Sequence, residues 1–310
     1  MSEDLQRHAR SFGGVADAYD RGRPSYPDDA VAWLVGDLPA GAQVLELGAG
    51  TGKLTERLVA LGHDVHASEP DEAMLAVLRR RLPDVATSLT GAEEIPLPDA
   101  SVDVVVAAQC LHWFDPERAY AEIARVLRPG GHLAAVWNVR DERIPWVRKL
   151  GRIIGTQDNV DPAASTVAGS GEFHAAEHAS YKHWQVVDRR SIQDLARSRS
   201  NLAVLDEAAR ERVVDDLLAL YDDYGRGMDG MQLPYHARCL RARVVDRPAP
   251  AVVEPEPEAA AEGPPTFEPT VPISLVSSDD RRDPMHDSAD TIPRVAAGLD
   301  DTGTLLIDFR

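Results

Sequence analysis

Residues 43–54 read QVLELGAGTGKL, a short apolar segment that runs into three alternating glycines and then into the start of an amphipathic helix. Glycines let a turn adopt positive φ and let a ligand lie against bare backbone, while the helix that follows points N–H groups at that ligand. A strand, a glycine turn and a helix in this order form the first half of a βαβ unit. We therefore expect a nucleotide or nucleoside site where this strand ends.

The sequence on either side alternates between helix-like and strand-like segments from residue 28 to about residue 138. Such alternation predicts an α/β fold in which helices cover both faces of a parallel sheet. VDVVVAAQC, residues 102–110, is almost wholly apolar and predicts a strand buried in the middle of that sheet. RPGG, residues 128–131, is expected to end a helix, and residues 158–180 are expected to form a loop. We count seven strands, the last over residues 235–245.

The charge of the chain is strongly negative and uneven. Its 310 residues include 33 Lys or Arg against 51 Asp or Glu, for a formal net charge of −18, so we expect no nucleic-acid partner. Residues 247–310 hold ten of the 22 prolines and few large apolar residues in periodic positions. This composition predicts a mostly disordered, acidic, Pro-rich tail. The folded domain should end near Asp246.

Several classes of protein are disfavoured by the sequence. No segment approaches the ~18–20 continuous apolar residues of a membrane span, and the N-terminus lacks an apolar signal core. Cys110 and Cys239 lie in apolar segments and form no disulfide framework, which favours a cytoplasmic protein. His174, His178 and His183 have an HxxxH spacing, but no carboxylate or cysteine set completes a metal site. We expect no metal, and the oligomeric state stays open.

Two carboxylates narrow the choice of ligand. Glu46 precedes Gly48 by two positions, and Glu69 ends the second predicted strand, where a carboxylate can accept hydrogen bonds from both ribose hydroxyls. Dinucleotide-binding turns have the spacing GxGxxG, whereas the third glycine here, Gly52, arrives one position early. Glu46 would also lie close to the pyrophosphate of a dinucleotide and repel it. A cationic nucleoside such as S-adenosylmethionine, which carries no phosphate, suits these residues better.

Four motifs in order resemble a class I S-adenosylmethionine-dependent methyltransferase of the type 11 kind. They are VLELGAGTG (44–52), SEPDEAML (68–75), GAEEIPLPDASVDVVVAAQCLHWFD (91–115) and RVLRPGG (125–131). Residues 11–27 and 233–242 further resemble the branch that includes trans-aconitate and other small-molecule methyltransferases. The resemblance covers roughly residues 10–245 and implies a Rossmann-like seven-stranded methyltransferase sheet over residues 28–246, preceded by an N-terminal lid segment over residues 1–27.

The resemblance also implies roles for individual residues. Around the methionine part of the cofactor it places the turn residues and the end of the fourth strand: Glu46, Gly48, Ala49, Gly50, Gly52 and Gln109. It places Glu69 on the ribose and, along the adenine, Pro70, Met74, Ala92 and Glu93. It places Tyr19, Arg23 and Tyr26 in the lid, and Trp113 and Phe114 at the mouth of the acceptor site.

The implied reaction is in-line displacement, in which an oxygen, nitrogen or carbon of a small-molecule acceptor attacks the methyl carbon. The donor is already activated, so no base is required, and His112 is the one histidine placed to act as one. Arg23 could hold a carboxylate in fork geometry, which makes a carboxylate acceptor one candidate. Two alternatives stay open: a non-catalytic S-adenosylmethionine-binding regulatory module, and a nicotinamide-dependent oxidoreductase.

Overall fold

The main element of the protein, in a computed structural model, is a seven-stranded mixed sheet. The structure describes residues 16–155, 161–199, 202, 205–225 and 230–246 and the short segments 298–299 and 305–306. Its strands are β1 (Gln43–Leu47), β2 (Asp64–Ser68), β3 (Ala86–Ser88), β4 (Val102–Ala108), β5 (Leu127–Arg140), β6 (Glu177–Val187) and β7 (Met231–Arg243). They lie in the order β3-β2-β1-β4-β5-β7-β6, and β7 runs antiparallel to the other six strands. The predicted seven-stranded Rossmann-like sheet with β4 at its centre is confirmed.

Helices cover both faces of this sheet, as the alternating sequence pattern predicts. They are α1 (Ala16–Gly22), α2 (Asp28–Val35), α3 (Lys53–Ala60), α4 (Glu72–Arg81), α5 (Pro116–Val126), α6 (Pro145–Ile154), α7 (Asp161–Gly169), α8 (Ser191–Arg197) and α9 (Glu207–Tyr224), with a 3-10 turn at Leu111–Trp113. Leu45 and Val105 belong to a core cluster with α5, whereas Val44 and Val104 belong to a second cluster with α2 and α3. Because successive strand residues face opposite sides, the apolar strands fill both clusters.

The strand order creates a cleft at one edge of the sheet. The chain passes from β1 to β2 on one side and from β4 to β5 on the other, so the loops that follow β1 and β4 diverge. Ligands of open α/β sheets bind at such a switch point, outside the carboxyl ends of the strands. Ala108, the last residue of β4, pairs with Val136, but β5 continues for four residues to Arg140. The end of β5 therefore stands beyond β1 and β4 as a wall beside the cleft.

The helix before RPGG ends at Val126, as predicted, but β5 begins earlier than predicted, and the loop expected over residues 158–180 contains regular structure. Residues 128–131 (RPGG) lie inside β5, where the register shifts from Val102–Leu127 to Val104–His132, so the extra residues form an irregularity in the strand rather than a loop before it. Residues 158–180 are also not one loop, because they include α7 and the start of β6. The burial of β6 alternates from Ala179 onward, and its exposed residues are polar at Ser180 and Lys182 but apolar at Trp184 and Val186.

The chain divides by its internal contacts into two units, Met1–Ala251 and Val252–Arg310. The sheet lies in the first unit. In the second, β8 (Gly298–Leu299) pairs antiparallel with β9 (Leu305–Leu306). The rest of the predicted tail, residues 247–310, and residues 1–15 of the predicted lid lie outside the described residues. None of the helices in the described part of the chain has the length and apolar character needed to cross a membrane.

Candidate functional site

The glycine turn after β1 brings bare backbone to the head of the cleft. Gly48 and Gly50 have φ values of 66° and 57°, a region that residues with a side chain rarely adopt. A Cβ on Gly48 would lie 2.6 Å from the sulfur of Cys110, so this position is closed by packing. A Cβ on Gly50 would meet nothing within 4 Å, because this glycine faces open space. The turn thus offers a cradle at Gly50 that any side chain would partly fill.

Two buried carboxylates border this cradle. The hydroxyl of Thr55 donates to Oε2 of Glu46 over 2.6 Å, and burial raises the pKa of Glu46 to about 8. Glu69 accepts from the backbone N–H of Gly50 at 2.8 Å and of Asp71 at 2.9 Å, and burial raises its pKa to about 7. A cation bound beside these groups would favour their ionised forms. The site therefore suits a ligand with a positive charge at its glycine-turn end.

A cavity of about 570 Å³, counted with its open mouth, extends from the glycine turn to the wall formed by β5. Its lining comes from the turn and strand ends, the lid segment, and the later part of the chain: Glu46, Gly48, Ala49, Gly50, Thr51, Lys53, Leu54, Ala108, Gln109; Tyr19, Arg23, Pro24, Tyr26; Asn138, Arg140, Leu195, Arg199, Tyr235. The cavity thus has one end at the glycine turn and the other at the β5 wall, and we name them the donor side and the acceptor side after the roles that we propose for them.

The lid segment, which we define as the described residues 16–27, is fastened at the glycine turn. Oδ1 of Asp20 accepts from the hydroxyl of Thr51 at 2.9 Å and from Nη1 of Arg81 at 2.7 Å. Nη1 of Arg81 also donates to the carbonyl of Thr51 at 2.9 Å. The lid helix α1 is therefore tied to the loop that borders the cradle.

The same segment is fastened to α8 at its other end. Nε of Arg21 donates to Asp194 at 2.8 Å, and Arg23 donates to the hydroxyl and the carbonyl of Ser198 at 2.9 and 3.0 Å. Gly22 packs so closely on α8 that a Cβ there would lie 2.4 Å from the backbone of Asp194 and Leu195. The lid thus bridges the glycine turn and α8.

Polar side chains at the end of the sheet hold the lid from below. Asn138 donates to the carbonyl of Ser25 at 3.1 Å and bonds through Oδ1 to Nε2 of His183 at 2.8 Å. The ring of His183 stacks on that of Tyr235 with centroids 5.5 Å apart. Burial lowers the pKa of His183 to about 4, so this histidine is neutral near pH 7. A neutral ring with Nε2 protonated can donate to the Asn138 oxygen.

The structure brings some of the predicted site residues into the cavity and leaves others outside its lining. Those that line it are Glu46, Gly48, Ala49, Gly50, Gln109, Tyr19, Arg23 and Tyr26. Gln109 has a left-handed φ of 63°, an unusual backbone geometry at the end of β4. Glu69 reaches the cradle through its bond to Gly50, whereas a Cβ on Gly52 would lie 3.0 Å from Leu78, so that glycine serves the packing of α3 on α4.

The predicted adenine and mouth residues lie outside that lining. Met74 and Ala92 are buried, Pro70 is exposed, and Oε1 of Glu93 accepts from the backbone of Asp115 at 2.9 Å. His112 is exposed on the 3-10 turn and stacks obliquely on Trp113, and Phe114 packs at the edge of a core cluster. Across the described residues no group of three His, Cys, Asp or Glu side chains is arranged to hold a metal ion.

The sequence analysis did not identify the residues that line the acceptor side of the cavity. Asn138 and Arg140 follow an apolar strand at alternate positions, and two polar residues on one face at the carboxyl end of a strand are a signal that could have found them. Tyr235 enters only because antiparallel β7 pairs it with Arg140. Arg199 lies just after α8 in a stretch without a motif, so no sequence signal identifies it.

Comparison with known proteins agrees with this geometry. A family model described as a methyltransferase domain matches residues 45–135. An uncharacterised methyltransferase of Mycobacterium tuberculosis is 47% identical over 236 residues, covering 75% of this chain and 95% of the relative. One from Schizosaccharomyces pombe is 35% identical over 214 residues, covering 66% of this chain and 85% of the relative.

A solved structure shows the same fold. A protein described as a methyltransferase from an antibiotic biosynthesis pathway of Anabaena variabilis matches with a TM-score of 0.52 at 20% identity, covering 69% of this chain and 95% of that one. The fold, the glycine turn with its two carboxylates and the extent of the mycobacterial match lead to one family. This chain belongs to the class I S-adenosylmethionine-dependent methyltransferases.

Proposed function

We propose that this methyltransferase acts on a small-molecule acceptor through an oxygen, nitrogen or carbon nucleophile. The observation that carries the proposal is the cavity itself. It begins at Glu46 and the glycine turn, ends at the β5 wall and is covered by the lid residues Tyr19, Arg23 and Tyr26. Its lining joins the glycine turn to polar side chains at the end of β5, so that a cofactor and a small acceptor can meet between them. A macromolecular acceptor would need an open surface instead.

We propose that the donor side binds the cofactor as the family resemblance implies. The turn Gly48–Gly50, with Glu46 below it and Gln109 opposite, holds the methionine part, and Gly52 supports the turn. Glu69 holds the ribose, since its two oxygens each accept one backbone N–H and keep further lone pairs for the diol. Pro70, Met74, Ala92 and Glu93 flank the adenine. The open space at Gly50 supports this assignment.

The cofactor supplies a methyl group on a positively charged sulfur, and the chain's own residues position and enclose the reactants. Ionised Glu46 and Glu69 compensate the positive charge at the glycine-turn end. The lid, tied to Thr51 and to Ser198, excludes water and limits how the acceptor approaches. Alignment of reactants within such a closed site is worth about 7–11 kcal/mol of barrier in general.

The acceptor needs no strong base from the protein in this proposal. Among the described residues that line the cavity there is no histidine, and burial raises the pKa values of Tyr19, Tyr26 and Tyr235, which keeps these hydroxyls neutral. His112 is exposed and outside the lining, so we infer that it shapes the mouth, with Trp113 and Phe114, rather than moving a proton. An amine or an already ionised oxygen fits such a site as nucleophile.

Calorimetric titration of the purified protein with S-adenosylmethionine and S-adenosylhomocysteine, with NAD and NADP as controls, tests the donor side. We expect micromolar binding of the first pair and none of the second. A panel of carboxylate, amine and phenol metabolites with radiolabelled cofactor then tests the acceptor class. Cofactor binding with transfer only to protein or nucleic acid would refute the small-molecule acceptor, and preference for NAD would refute the donor assignment.

A further inference from the structure

The β5 wall places the acceptor end of the cavity far from the glycine turn. The backbone N–H of Gln109 bonds to the carbonyl of Val136, which marks the level at which β4 ends. Arg140 lies four residues further along β5, or ~13 Å at ~3.3 Å per residue. β5 is also two strands away from β1, which adds roughly 10 Å across the sheet. The far wall is therefore separated from Gly48 by more than the reach of one side chain.

Guanidinium groups gather at this far end. The side chain of Arg140 is only 1% exposed, and Arg140 pairs across the sheet with Tyr235. Arg23 from the lid and Arg199 after α8 line the same cavity. The positive charge of each of the three arginines favours the ionised form of Tyr235 and so opposes the rise in its pKa that burial produces. Three positive groups from three different parts of the chain thus line one cavity with Tyr235.

The charges in the cavity are unequal in sign. Its charged lining residues, among those the structure describes, are the cations Arg23, Lys53, Arg140 and Arg199 and the single carboxylate Glu46. Lys53 lies at the glycine turn, 3.8 Å from Asp20, so the far end holds three guanidiniums and no carboxylate in the lining.

The surrounding chain holds two of these arginines in place. Arg23 donates to the hydroxyl and the carbonyl of Ser198, and Arg140 donates to the carbonyl of Gly155 at 2.7 Å and pairs with the carboxylate of Glu142 at 3.4 Å. Glu142 is not one of the lining residues, so the described lining at this end keeps an excess of positive charge.

We propose that Arg140, Arg199 and Arg23 bind an anionic group of the acceptor, a carboxylate or a phosphate, remote from the atom that receives the methyl group. The inference rests on the proposed function and adds the acceptor's chemical class: an elongated molecule with an anion at one end and the nucleophile at the other. Arginine forks suit both anions because they donate two parallel hydrogen bonds. The anchored group is not the nucleophile, because the wall that holds it stands too far from Gln109.

A crystal of the full chain grown with S-adenosylhomocysteine and soaked in sodium bromide tests the location. Bromide scatters anomalously and stands in for a generic anion, so its position needs no knowledge of the acceptor. We expect a bromide peak between Arg140 and Arg199, separated from the sulfur of S-adenosylhomocysteine by more than a van der Waals contact. No peak in the cavity, or one in contact with that sulfur, overturns the proposal. Density for S-adenosylhomocysteine reports separately on the donor assignment.

Solution binding tests the charge requirement. With the protein saturated by S-adenosylhomocysteine, calorimetric titrations compare propionate and phosphate with propionamide, which has the shape of propionate but no charge. We expect propionate or phosphate to bind and propionamide not to bind, and the stronger of the two anions identifies the group. Equal binding of propionate and propionamide, or binding of neither anion, overturns the proposal.

Variants then assign the site to its arginines. Arg199→Gln should weaken anion binding tenfold or more while S-adenosylhomocysteine affinity stays within twofold, and Arg23→Gln, which also removes the bonds of the lid to Ser198, should weaken anion binding at least as much. Arg241→Gln is the matched control, because Arg241 is a β7 arginine outside the cavity that stacks on Trp33. An equal loss in the control, or no loss in either cavity variant, refutes the assignment. Arg140→Gln is the more hazardous variant, since Arg140 is buried, and it is not needed for the conclusion.

Discussion

Gly50 shows how the lack of a side chain can define a binding site. Its φ is 57° and a Cβ there would enter open space, so Gly50→Val should fold but fill the cradle. We expect cofactor affinity to fall at least 100-fold in calorimetry. Gly41→Val is the control, because Gly41 has a φ of 82° and equal space but lies before β1. Both variants should lose about 1–2 kcal/mol through left-handed strain, and only Gly50→Val should lose binding. Retained affinity in Gly50→Val would remove this turn from the site.

Glu46 makes cofactor binding depend on pH. Its folded pKa of about 8 lies above its ordinary value of 4.5, so the folded protein without cofactor holds more protons than the unfolded chain. Its contribution to the free energy of unfolding therefore falls as the pH rises from about 4.5 to about 8. A bound cation reverses the preference, so binding of S-adenosylmethionine, whose sulfur is positively charged, should release protons at pH 6.5.

Calorimetry in two buffers that differ in ionisation enthalpy measures this release. Glu46→Gln should remove the largest part of it, because an amide cannot ionise, and should flatten the fall in stability between pH 5 and pH 8. Proton release of the same size in Glu46→Gln would show that another group, such as Glu69, carries the effect.

At the scale of the element, the packing of α1 against α8 depends on one glycine. A Cβ on Gly22 would lie 2.4 Å from the backbone of Asp194 and Leu195, so Gly22→Ala should lift the lid from α8. We expect a loss of about 1–3 kcal/mol in stability, the usual effect of overpacking, and weaker cofactor binding as the bonds of Asp20 to the turn loosen. Thermal unfolding and calorimetry measure the two effects.

Gly169→Ala is the control for this substitution. Gly169 is the last residue of α7, and a Cβ at this position would have no neighbour within 4 Å, so its replacement should leave stability and affinity unchanged. Gly22→Ala with wild-type cofactor affinity would show that the lid does not contribute to binding.

The elements that the sequence predicts best are those whose signals are local. β1 and α3 follow from an apolar run, three glycines and a stripe of leucines, and Asp71 caps α4 by accepting from the backbone of Ala73 and Met74. The length of β5 and the presence of α7 do not follow. Whether RPGG interrupts a strand depends on the register with β4, and α7 buries Val167 against a distant core. The acceptor side depends on the same long-range pairing, which is why Tyr235 and Arg199 were missed.

At the scale of the whole molecule, we predict that the domain is complete without residues 247–310. β7 ends at Arg243, and the segment beyond Asp246 is acidic and rich in proline. Deleting residues 247–310 should change the midpoint of thermal unfolding by less than about 2 °C, because every one of the seven sheet strands is kept. A shift of 2 °C corresponds to about 0.5–1 kcal/mol for a domain of this size. Scanning calorimetry and a cofactor titration check this, and a large loss in either would show that the domain extends into the tail.

The two sides of the cavity are encoded in different parts of the gene. Apart from the lid, the donor side is built from residues 46–109, and the acceptor side from Asn138 to Tyr235 at the projecting ends of β5 and β7 and in the helices between. Under the proposed assignment, mutations late in the coding sequence can alter acceptor choice while the residues of the donor side are kept, so that one ancestral enzyme can diversify into several that share a methyl donor. A chimera that receives residues 138–235 of a relative should inherit that relative's acceptor.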